Sequence, residues 1–124
     1  MSEAIGILLI DDEPSVCDAL GLVLGDNGYR VECAPNGRDG IGLADREKFS
    51  IVITDLRLPD MSGIDVLRQI KIKNADCPVI IITAYGTPEL IVEAKCLGAL
   101  EVLAKPFCPS DILTLIKTAL GIDD

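Results

Sequence analysis

The sequence predicts an α/β fold, a doubly wound five-stranded parallel sheet with helices on both faces. Two observations support this prediction. Five apolar runs of strand length recur along the chain, and segments with helical spacing lie between them. Regular alternation of this kind is typical of parallel sheets whose strands are joined by right-handed crossovers. With 124 residues, the chain is expected to form one domain that spans residues 1–124.

The predicted strands are short and rich in aliphatic residues. They occupy residues 5–10, 30–34, 51–54, 79–82 and 101–104. The first, third and fourth are continuously apolar, as expected for strands buried on both faces of a parallel sheet. Ligands of such sheets bind beyond the carboxyl ends of the strands, so functional residues are expected there.

Helical periodicity identifies the first and last of five predicted helices. Apolar residues recur there at intervals of three and four, in the sets Val16, Ala19, Leu20, Val23 and Leu24, and Ile112, Leu115, Ile116, Ala119 and Leu120. Cap residues indicate the other three, at about 37–48 after Asn36, about 63–73 after Ser62, and about 87–97 with Thr87 as cap and Pro88 in the first position. Gly28 and Gly98 lie where helices are expected to end.

The chain is strongly acidic, since 11 basic and 20 acidic residues give a net charge of −9, and it has no histidine. This charge disfavours binding to nucleic acid or to an anionic membrane. Without imidazole, any chemistry must use carboxylate, hydroxyl, amine or thiol groups. Neither residues 1–4 nor the first apolar run resembles a signal peptide or a membrane span, so a cytoplasmic protein is expected.

Five cysteines are scattered along the chain and form no C-x-x-C pair. They are Cys17, Cys33, Cys77, Cys96 and Cys108. Their number is odd, and most of them lie in apolar runs. We therefore expect buried free thiols, as in a protein of a reducing cytoplasm.

Polar residues follow four of the five predicted strands. Asp11 and Asp12 follow the first, Asp55 the third, Thr83 the fourth and Lys105 the fifth. Each has a simple structural explanation when taken alone; Asp12, for example, is suited to cap the helix that begins near the next proline. Taken together they suggest a site, because the topology brings three carboxylates to one edge of the sheet.

Three carboxylates at one edge favour a hard cation. Two carboxylates about 4 Å apart repel each other by roughly 4 kcal/mol at an effective dielectric constant near 20. All-oxygen ligands with room for water suit Mg²⁺, which is predicted on Asp11, Asp12 and Asp55. With the cation bound, Asp55 at the centre of the sheet is the best-placed nucleophile toward a phosphoryl group. Lys105 and Thr83 are then suited to pair with phosphoryl oxygens.

Four motifs resemble those of the receiver domain of two-component response regulators. They are LLIDDE at 8–13, TDLRLPDMSG at 54–63, ITAYG at 82–86 and LAKPF at 103–107. The resemblance covers the whole chain and includes motif order and spacing. It implies a flavodoxin-like (βα)5 fold with strand order 2-1-3-4-5.

The resemblance also implies a mechanism. Asp55 would accept a phosphoryl group from a phosphohistidine of a sensor kinase or of a histidine phosphotransfer protein. Asp11 and Asp12 would hold Mg²⁺ with the backbone carbonyl of Arg57. A cis bond before Pro106 would aim Lys105 into the site. The domain would catalyse only its own phosphorylation and dephosphorylation.

One position departs from the family pattern. In this family a threonine at the position of Thr83 turns toward the new phosphate, and an aromatic residue three positions before the lysine swings inward. That position is Val102 here, which puts an aromatic switch in doubt. Thr83 and the loop 84–87 are then the parts expected to move. Tyr85 either shapes access to the acyl phosphate or is an ordinary loop tyrosine, and the Arg57 side chain either tunes hydrolysis or is solvated.

The motifs are most similar to those of nitrogen-regulation-class receivers and of single-domain sporulation phosphorelay intermediates. The chain ends at residues 121–124, without an output domain, so it is either a stand-alone or an excised receiver. Its partners are then expected to be a phosphohistidine donor and a downstream protein or output domain. The expected output surface consists of the fourth helix, fifth strand and fifth helix, and a phosphorylation-dependent homodimer is compatible with it.

Three alternatives remain open from the sequence. A haloacid-dehalogenase-type phosphatase also uses an aspartyl phosphate, but its nucleophile belongs to a D-x-D motif after the first strand. A flavodoxin-like binding module needs a phosphate-cradling loop there, where Asp11, Asp12 and Glu13 repel phosphate. A pseudo-receiver that acts only as an interaction module is distinguished by phosphorylation data alone.

Overall fold

The computed structural model describes residues 5–122, in which five strands and five helices alternate. The strands are β1 (Gly6–Ile10), β2 (Arg30–Ala34), β3 (Ile51–Asp55), β4 (Val79–Thr83) and β5 (Glu101–Ala104). The helices are α1 (Pro14–Asp26), α2 (Gly37–Arg46), α3 (Gly63–Lys73), α4 (Pro88–Cys96) and α5 (Pro109–Leu120). Among the residues described, no helix has the length and apolar character needed to cross a membrane. The expectations for residues 1–4 and for the last two residues fall outside the described part.

The five strands form one parallel sheet in the order β2-β1-β3-β4-β5. This confirms the predicted fold class and strand order. β3 is the central strand and pairs with β1 on one side and β4 on the other. Since all strands run in the same direction, their carboxyl ends lie along one edge of the sheet.

Each face of the sheet carries its own hydrophobic cluster, because successive side chains of a strand point to opposite faces. On β1, Ile7 and Leu9 lie on the face that packs against α1 and α5, whereas Leu8 and Ile10 lie on the face covered by α2, α3 and α4. All four are fully buried. Burying one such side chain contributes about 1.5–3 kcal/mol, so the continuous apolar strands are the main source of stability.

The helix starts agree with the predicted caps in three cases. Ser62 forms a capping box with Asp65 at the start of α3, and the hydroxyl of Thr87 accepts a hydrogen bond from Leu90 N at the start of α4. Asn36 caps α2 through its side chain. Gly28, with φ +88°, follows α1 in the conformation that glycine tolerates best.

Some boundaries differ from the prediction. The expectation that Asp12 caps α1 is wrong: Pro14 is the first helical residue, and Glu13 therefore occupies the cap position, without a side-chain cap bond. α2 ends at Arg46 rather than near residue 48, because the backbone becomes extended at Glu47. β3 and β4 each extend one residue further than predicted, so Asp55 and Thr83 are their final residues.

All five cysteines are free thiols, as predicted, but the expectation that they are buried is wrong for most of them. Only Cys77 is buried, Cys17 is half-buried, and the other three are exposed. Cys33 lies on β2, at the edge of the sheet. Cys96 is the last residue of α4, and Cys108 precedes the first turn of α5. Apolar neighbours in the sequence do not imply burial at such peripheral positions.

Candidate functional site

The polar residues predicted at the strand ends meet at one edge of the sheet. Asp11 directly follows β1, Asp55 ends β3, Thr83 ends β4 and Lys105 directly follows β5. The backbone ties the last three together, since Leu56 N donates to Ile82 O at 2.9 Å and Lys105 N donates to Thr83 O at 2.8 Å. The parallel register thus places side chains from four separate strands around one pocket.

Three carboxylates line this acidic pocket. One carboxylate oxygen each of Asp11, Asp12 and Asp55 lies within 4.8 Å of the others. Asp11 is 2% exposed and Asp55 is 6% exposed, whereas Asp12 is open to solvent. Burial raises the pKa of Asp11, and the nearby charge of Asp55 adds to this effect, although the hydrogen bond from Glu13 N and the nearby Lys105 ammonium oppose it. The pocket therefore resists holding two buried negative charges without a cation.

Two positively charged partners, a lysine ammonium and a metal ion, are compatible with these carboxylates. The structure contains the lysine. The Lys105 ammonium lies 3.0 Å from Asp55 Oδ2 and 3.1 Å from Asp11 Oδ2. The contact with Asp55 is a hydrogen bond, but the approach to Asp11 Oδ2 lacks hydrogen-bond geometry and leaves that buried oxygen without a donor. Such an oxygen, next to two other carboxylates, fits a hard divalent cation such as Mg²⁺.

Lys105 is held more tightly than the sequence indicated, because Glu13 also binds it. The distance from Lys105 Nζ to Glu13 Oε1 is 2.6 Å, and the lysine side chain is only 13% exposed. Burial alone would lower the pKa of Lys105, but its hydrogen bonds to Glu13 and Asp55 and its ion pair with Asp11 outweigh burial and raise that pKa. The lysine is thus a permanent positive charge at neutral pH.

From the sequence, Glu13 was predicted only to repel phosphate, and its contact with Lys105 was not predicted. The only signal was its place in the acidic run that begins at Asp11, and the partner Lys105 is 92 positions away in the chain.

Thr83 and Tyr85 connect the pocket to the loop between β4 and α4. Thr83 is buried, and its hydroxyl oxygen accepts a hydrogen bond from Tyr85 N at 3.0 Å. The Tyr85 side chain is 62% exposed, and the Arg57 guanidinium carbon lies 4.6 Å from the centre of its ring. This cation–π contact joins the loop after β3 to the loop after β4 at the edge of the pocket. The sequence analysis considered Arg57 and Tyr85 separately and did not predict that their side chains are in contact.

Three further predicted positions have clear places. The peptide bond between Lys105 and Pro106 is cis, as the family resemblance implied. Val102 is half-buried and packs against the cluster under α4, so an aliphatic side chain fills the position of the family's aromatic residue. Arg57 N donates to Asp55 Oδ1 at 3.3 Å, which places the backbone of Arg57 beside the pocket.

The loop after Asp55 depends on a close backbone contact. Gly63 N donates to Leu56 O at 2.7 Å. A Cβ atom at Gly63 would collide with the carbonyl oxygen of Asp55. Asp60, in the same loop, accepts hydrogen bonds from Gly37 N and Arg38 N, both at 2.9 Å, and these bonds lower its pKa. The loop is thereby anchored between α2 and α3.

Replacing Asp11 by Asn is expected to stabilise the protein in metal-free buffer. The pKa of Asp11 is raised in the folded state, so its ionisation costs stability as the pH rises through that pKa. Asn keeps the acceptor for Glu13 N and removes the charge. We expect a gain on the order of 1 kcal/mol, a fraction of the ~4 kcal/mol repulsion of close carboxylates, since Lys105 offsets much of it. Thermal unfolding at pH 7 measures this gain.

The same comparison in millimolar Mg²⁺ supplies the control. Binding to the folded state raises the unfolding midpoint of the unsubstituted protein, because a ligand of the native state stabilises it. Asp11→Asn is expected to lose most of this increase. A variant that is less stable than its parent without metal would refute the charge repulsion. A variant that Mg²⁺ stabilises as much as it stabilises the parent would refute Asp11 as a metal ligand.

Comparison with known proteins agrees with this geometry. Residues 7–117 match the model of the response regulator receiver domain. The chain is 36% identical over 116 residues to sporulation initiation phosphotransferase F of Bacillus subtilis, and the match covers 94% of both chains. It is 40% identical over 119 residues to transcriptional regulatory protein ZraR of Klebsiella oxytoca, where it covers 96% of this chain and 27% of that protein.

A solved structure supports the same assignment at the level of the fold. A CheY-like response regulator receiver domain protein from Methanospirillum hungatei superposes with a TM-score of 0.92 and 30% sequence identity, over 96% of this chain and 95% of that one. The family match covers most of the sequence, and the strand order, strand-end residues and loop geometry are consistent with it. The chain belongs to the response regulator receiver domain family.

Proposed function

We propose that the chain is a phosphorylation-activated switch in which Asp55 accepts a phosphoryl group from a phosphohistidine. One observation carries this proposal: the buried Asp55 carboxylate lies between two further carboxylates and the Lys105 ammonium. A nucleophile in this position has a cation site on one side and a fixed positive charge on the other. Phosphoryl transfer requires this kind of positioning and charge neutralisation more than it requires acid–base chemistry.

The reaction is a displacement at phosphorus. A carboxylate oxygen of Asp55 forms a bond to phosphorus while the bond between phosphorus and the donor imidazole nitrogen breaks. The imidazole nitrogen that leaves with the bonding electron pair takes up a proton from solvent, so the products are an aspartyl phosphate and a neutral imidazole. Asp11, Asp12 and the backbone carbonyl of Arg57 would hold Mg²⁺, which would supply neutralising charge for the phosphoryl group.

Lys105 and Thr83 take over the remaining phosphoryl oxygens. The Lys105 ammonium is already 3.0 Å from Asp55 Oδ2, so a phosphoryl group on Asp55 replaces a carboxylate contact that the lysine makes in the unmodified protein. The Thr83 hydroxyl accepts from Tyr85 N, and turning its oxygen toward the phosphate breaks that bond. The loop 84–87 then shifts, and no aromatic side chain swings inward with it, because the position of the family's aromatic residue is Val102 here. The signal therefore passes from the phosphate to α4 through Thr83 and Tyr85.

A groove beside the pocket offers a place for the donor. A cavity of about 660 Å³ lies between the start of α1 and the loop after β5, and Lys105 forms part of its wall. Much of the remaining lining is apolar and includes Val16, Ala19, Ala84 and Phe107. We assign this groove to the phosphohistidine donor, a sensor histidine kinase or a histidine phosphotransfer protein. The arrangement and the acidic charge support a cytoplasmic protein that contacts other proteins rather than nucleic acid or membrane.

The output of the switch is assigned to the surface formed by α4, β5 and α5. α4 begins directly after the loop that contains Tyr85, and β5 leads into Lys105, so both ends of this surface are connected to the pocket. Val92 on α4 and Leu100 before β5 are exposed there. A downstream protein, an output domain or a second phosphorylated copy would recognise this surface.

The experiment that tests the proposal compares amide NMR spectra of the protein before and after phosphorylation in Mg²⁺. The donor is phosphoramidate, whose phosphorus–nitrogen bond resembles that of phosphohistidine. We expect the largest shifts at residues 83–87, followed by α4 and β5, with little change at the opposite edge of the sheet. Shifts confined to the neighbours of Asp55 would contradict a switch that reaches the output surface.

A further inference from the structure

Two cysteines that the proposed function does not use lie on the same side of the sheet. Cys33 on β2 pairs with Leu9 on β1, and side chains at paired positions point to the same face. Leu9 packs in the cluster that contains Leu20 and Leu24 of α1. Cys33 therefore points toward α1, although it remains exposed because β2 is an edge strand.

Cys17 approaches Cys33 from α1. It is half-buried and packs against the same cluster, three residues before Leu20 on the side of the helix that faces the sheet. Its thiol donates a weak hydrogen bond to Asp11 O, with a sulfur–oxygen distance of 3.8 Å. Asp11 N in turn donates to Ala34 O at 3.0 Å. Since Ala34 directly follows Cys33, these two bonds bring Cys17 to the end of β2, next to Cys33 on the same face of the sheet.

We propose that Cys17 and Cys33 form a reversible disulfide that links α1 to β2 beside the acidic pocket. The co-reactant is a low-molecular-weight disulfide such as oxidised glutathione. The Cys33 thiolate attacks one sulfur of the oxidant, its disulfide bond breaks, and one glutathione thiolate leaves. The Cys17 thiolate then attacks Cys33 Sγ and displaces the second glutathione. Two protein thiols lose two electrons and two protons, and one oxidised glutathione becomes two molecules of glutathione.

The order of the two steps follows from access. Cys33 is exposed and meets a dissolved oxidant directly, whereas Cys17 is half-buried under the helix and is shielded from it. Cys17 is therefore the resolving thiol. Burial raises the pKa of Cys33 and raises the pKa of Cys17 to about 12, so both exchange steps are slow and depend on the proximity of the two sulfurs rather than on an activated thiolate. The proximity of Cys17 makes the second step intramolecular, which favours the disulfide over a persistent mixed disulfide with glutathione.

The disulfide is expected to affect the acidic pocket, and this second claim rests on the proposed function. Oxidation removes the S–H group that donates to the carbonyl of Asp11, whose side chain is a predicted Mg²⁺ ligand. Groups that orient metal ligands affect affinity by 10-fold or more when they act on the ligand directly. Because this bond reaches only the backbone of Asp11, we expect the oxidised protein to bind Mg²⁺ roughly threefold to tenfold more weakly.

The test uses the full chain with Cys96→Ser and Cys108→Ser, which removes the other two exposed thiols. The protein is incubated with oxidised glutathione, quenched with acid, and analysed by intact mass and peptide mapping. We expect a loss of about 2 Da that a dithiol reductant reverses, and a cross-link between the peptides that contain Cys17 and Cys33. A stable glutathione adduct on Cys33 with Cys17 present, or no reaction, would overturn the proposal.

Single replacements in the same background establish the order of attack. With Cys17→Ser, the expected product is a persistent Cys33 adduct that is heavier by about 305 Da. With Cys33→Ser, neither adduct nor cross-link is expected. Circular dichroism verifies that both variants fold, and Cys17→Ala replaces Cys17→Ser if the serine variant does not.

Mg²⁺ titration of the reduced and oxidised forms tests the coupling separately. Equal affinities in the two forms would overturn the link to the acidic pocket, while the disulfide would stand. If neither form bound Mg²⁺, the proposed function would fail, and the mass result would be unaffected. The two failures are therefore distinguishable.

Discussion

Asp55→Asn is expected to abolish phosphorylation while leaving the fold intact. The substitution removes the nucleophilic oxygen charge but keeps the size of the side chain and an acceptor for Arg57 N. Uptake of phosphate should fall below detection, because among the described carboxylates that contact Lys105, which are Asp11, Glu13 and Asp55, Asp55 alone belongs to the central strand β3. Labelling with a phosphodonor in Mg²⁺, followed by hydroxylamine treatment, measures this loss, since hydroxylamine cleaves acyl phosphates.

The matched control for this variant is Asp76→Asn. Asp76 lies in the exposed loop between α3 and β4, at the opposite edge of the sheet. The Asp76→Asn variant loses the same charge as Asp55→Asn, and we expect it to be phosphorylated to the same level as the parent protein. Hydroxylamine-sensitive labelling of Asp55→Asn at the normal level would show that another residue is the acceptor.

Lys105→Ala is expected to produce the second-largest effect. The change removes the ammonium that pairs with Asp11, Glu13 and Asp55. We expect phosphorylation to slow at least about tenfold, equivalent to ~1.4 kcal/mol of lost transition-state stabilisation, and the shifts at 83–87 to disappear. Mg²⁺ binding should persist and tighten, because the cation no longer competes with the lysine for the same carboxylates. Rates of labelling and Mg²⁺ titrations measure the two effects.

The stability of Lys105→Ala provides a further check on the ion pairs. Because the pKa of Lys105 is raised in the folded state, its stabilising contribution is fully present at neutral pH. That contribution is lost only as the pH rises past the ordinary lysine range and through the raised pKa. The variant should therefore be less stable than the parent at pH 7 without metal. Lys48→Ala serves as the control, because Lys48 is exposed and lies before β3, at the edge of the sheet opposite the acidic pocket. If both variants switched equally on phosphorylation, a role for Lys105 would be excluded.

The parts of the fold that could be predicted depend on local patterns. Continuous apolar runs identified β1, β3 and β4, because only strands buried on both faces require them. Parallel topology then brought Asp11, Asp55 and Lys105 to one edge, so the principal pocket residues followed from the strand ends. The cap residues Ser62 and Thr87 set the starts of α3 and α4 through side-chain bonds that act over a few residues.

The missed features depend on contacts between distant segments. Nothing in the run from Asp11 to Glu13 specifies that the third carboxylate reaches Lys105, because this contact needs the loop after β5 to be in place. The stacking of Arg57 on Tyr85 likewise joins two loops whose positions follow from the sheet as a whole. Exposure of Cys33 was mispredicted because burial was inferred from its apolar neighbours in the sequence, although the strand order 2-1-3-4-5 already placed β2 at the edge of the sheet.

The competing functions differ from the proposal in the pocket itself. A dehalogenase-type phosphatase requires its nucleophile after the first strand, whereas the best-placed carboxylate here ends the third strand. A flavodoxin-like module requires a loop that binds phosphate directly, and the loop after β1 carries carboxylates instead. The family match over residues 7–117 favours neither. A pseudo-receiver keeps the fold and the metal site but takes up no phosphate.

Intact mass after incubation with Mg²⁺ and phosphoramidate tests the central claim most directly. Parallel samples contain a chelator in place of Mg²⁺, or the Asp55→Asn variant in place of the parent. The proposed function predicts a gain of one phosphoryl group, about 80 Da, only in the parent protein with Mg²⁺. No gain in a sample whose Mg²⁺ binding has been established independently, or an equal gain in the Asp55→Asn variant, would contradict it.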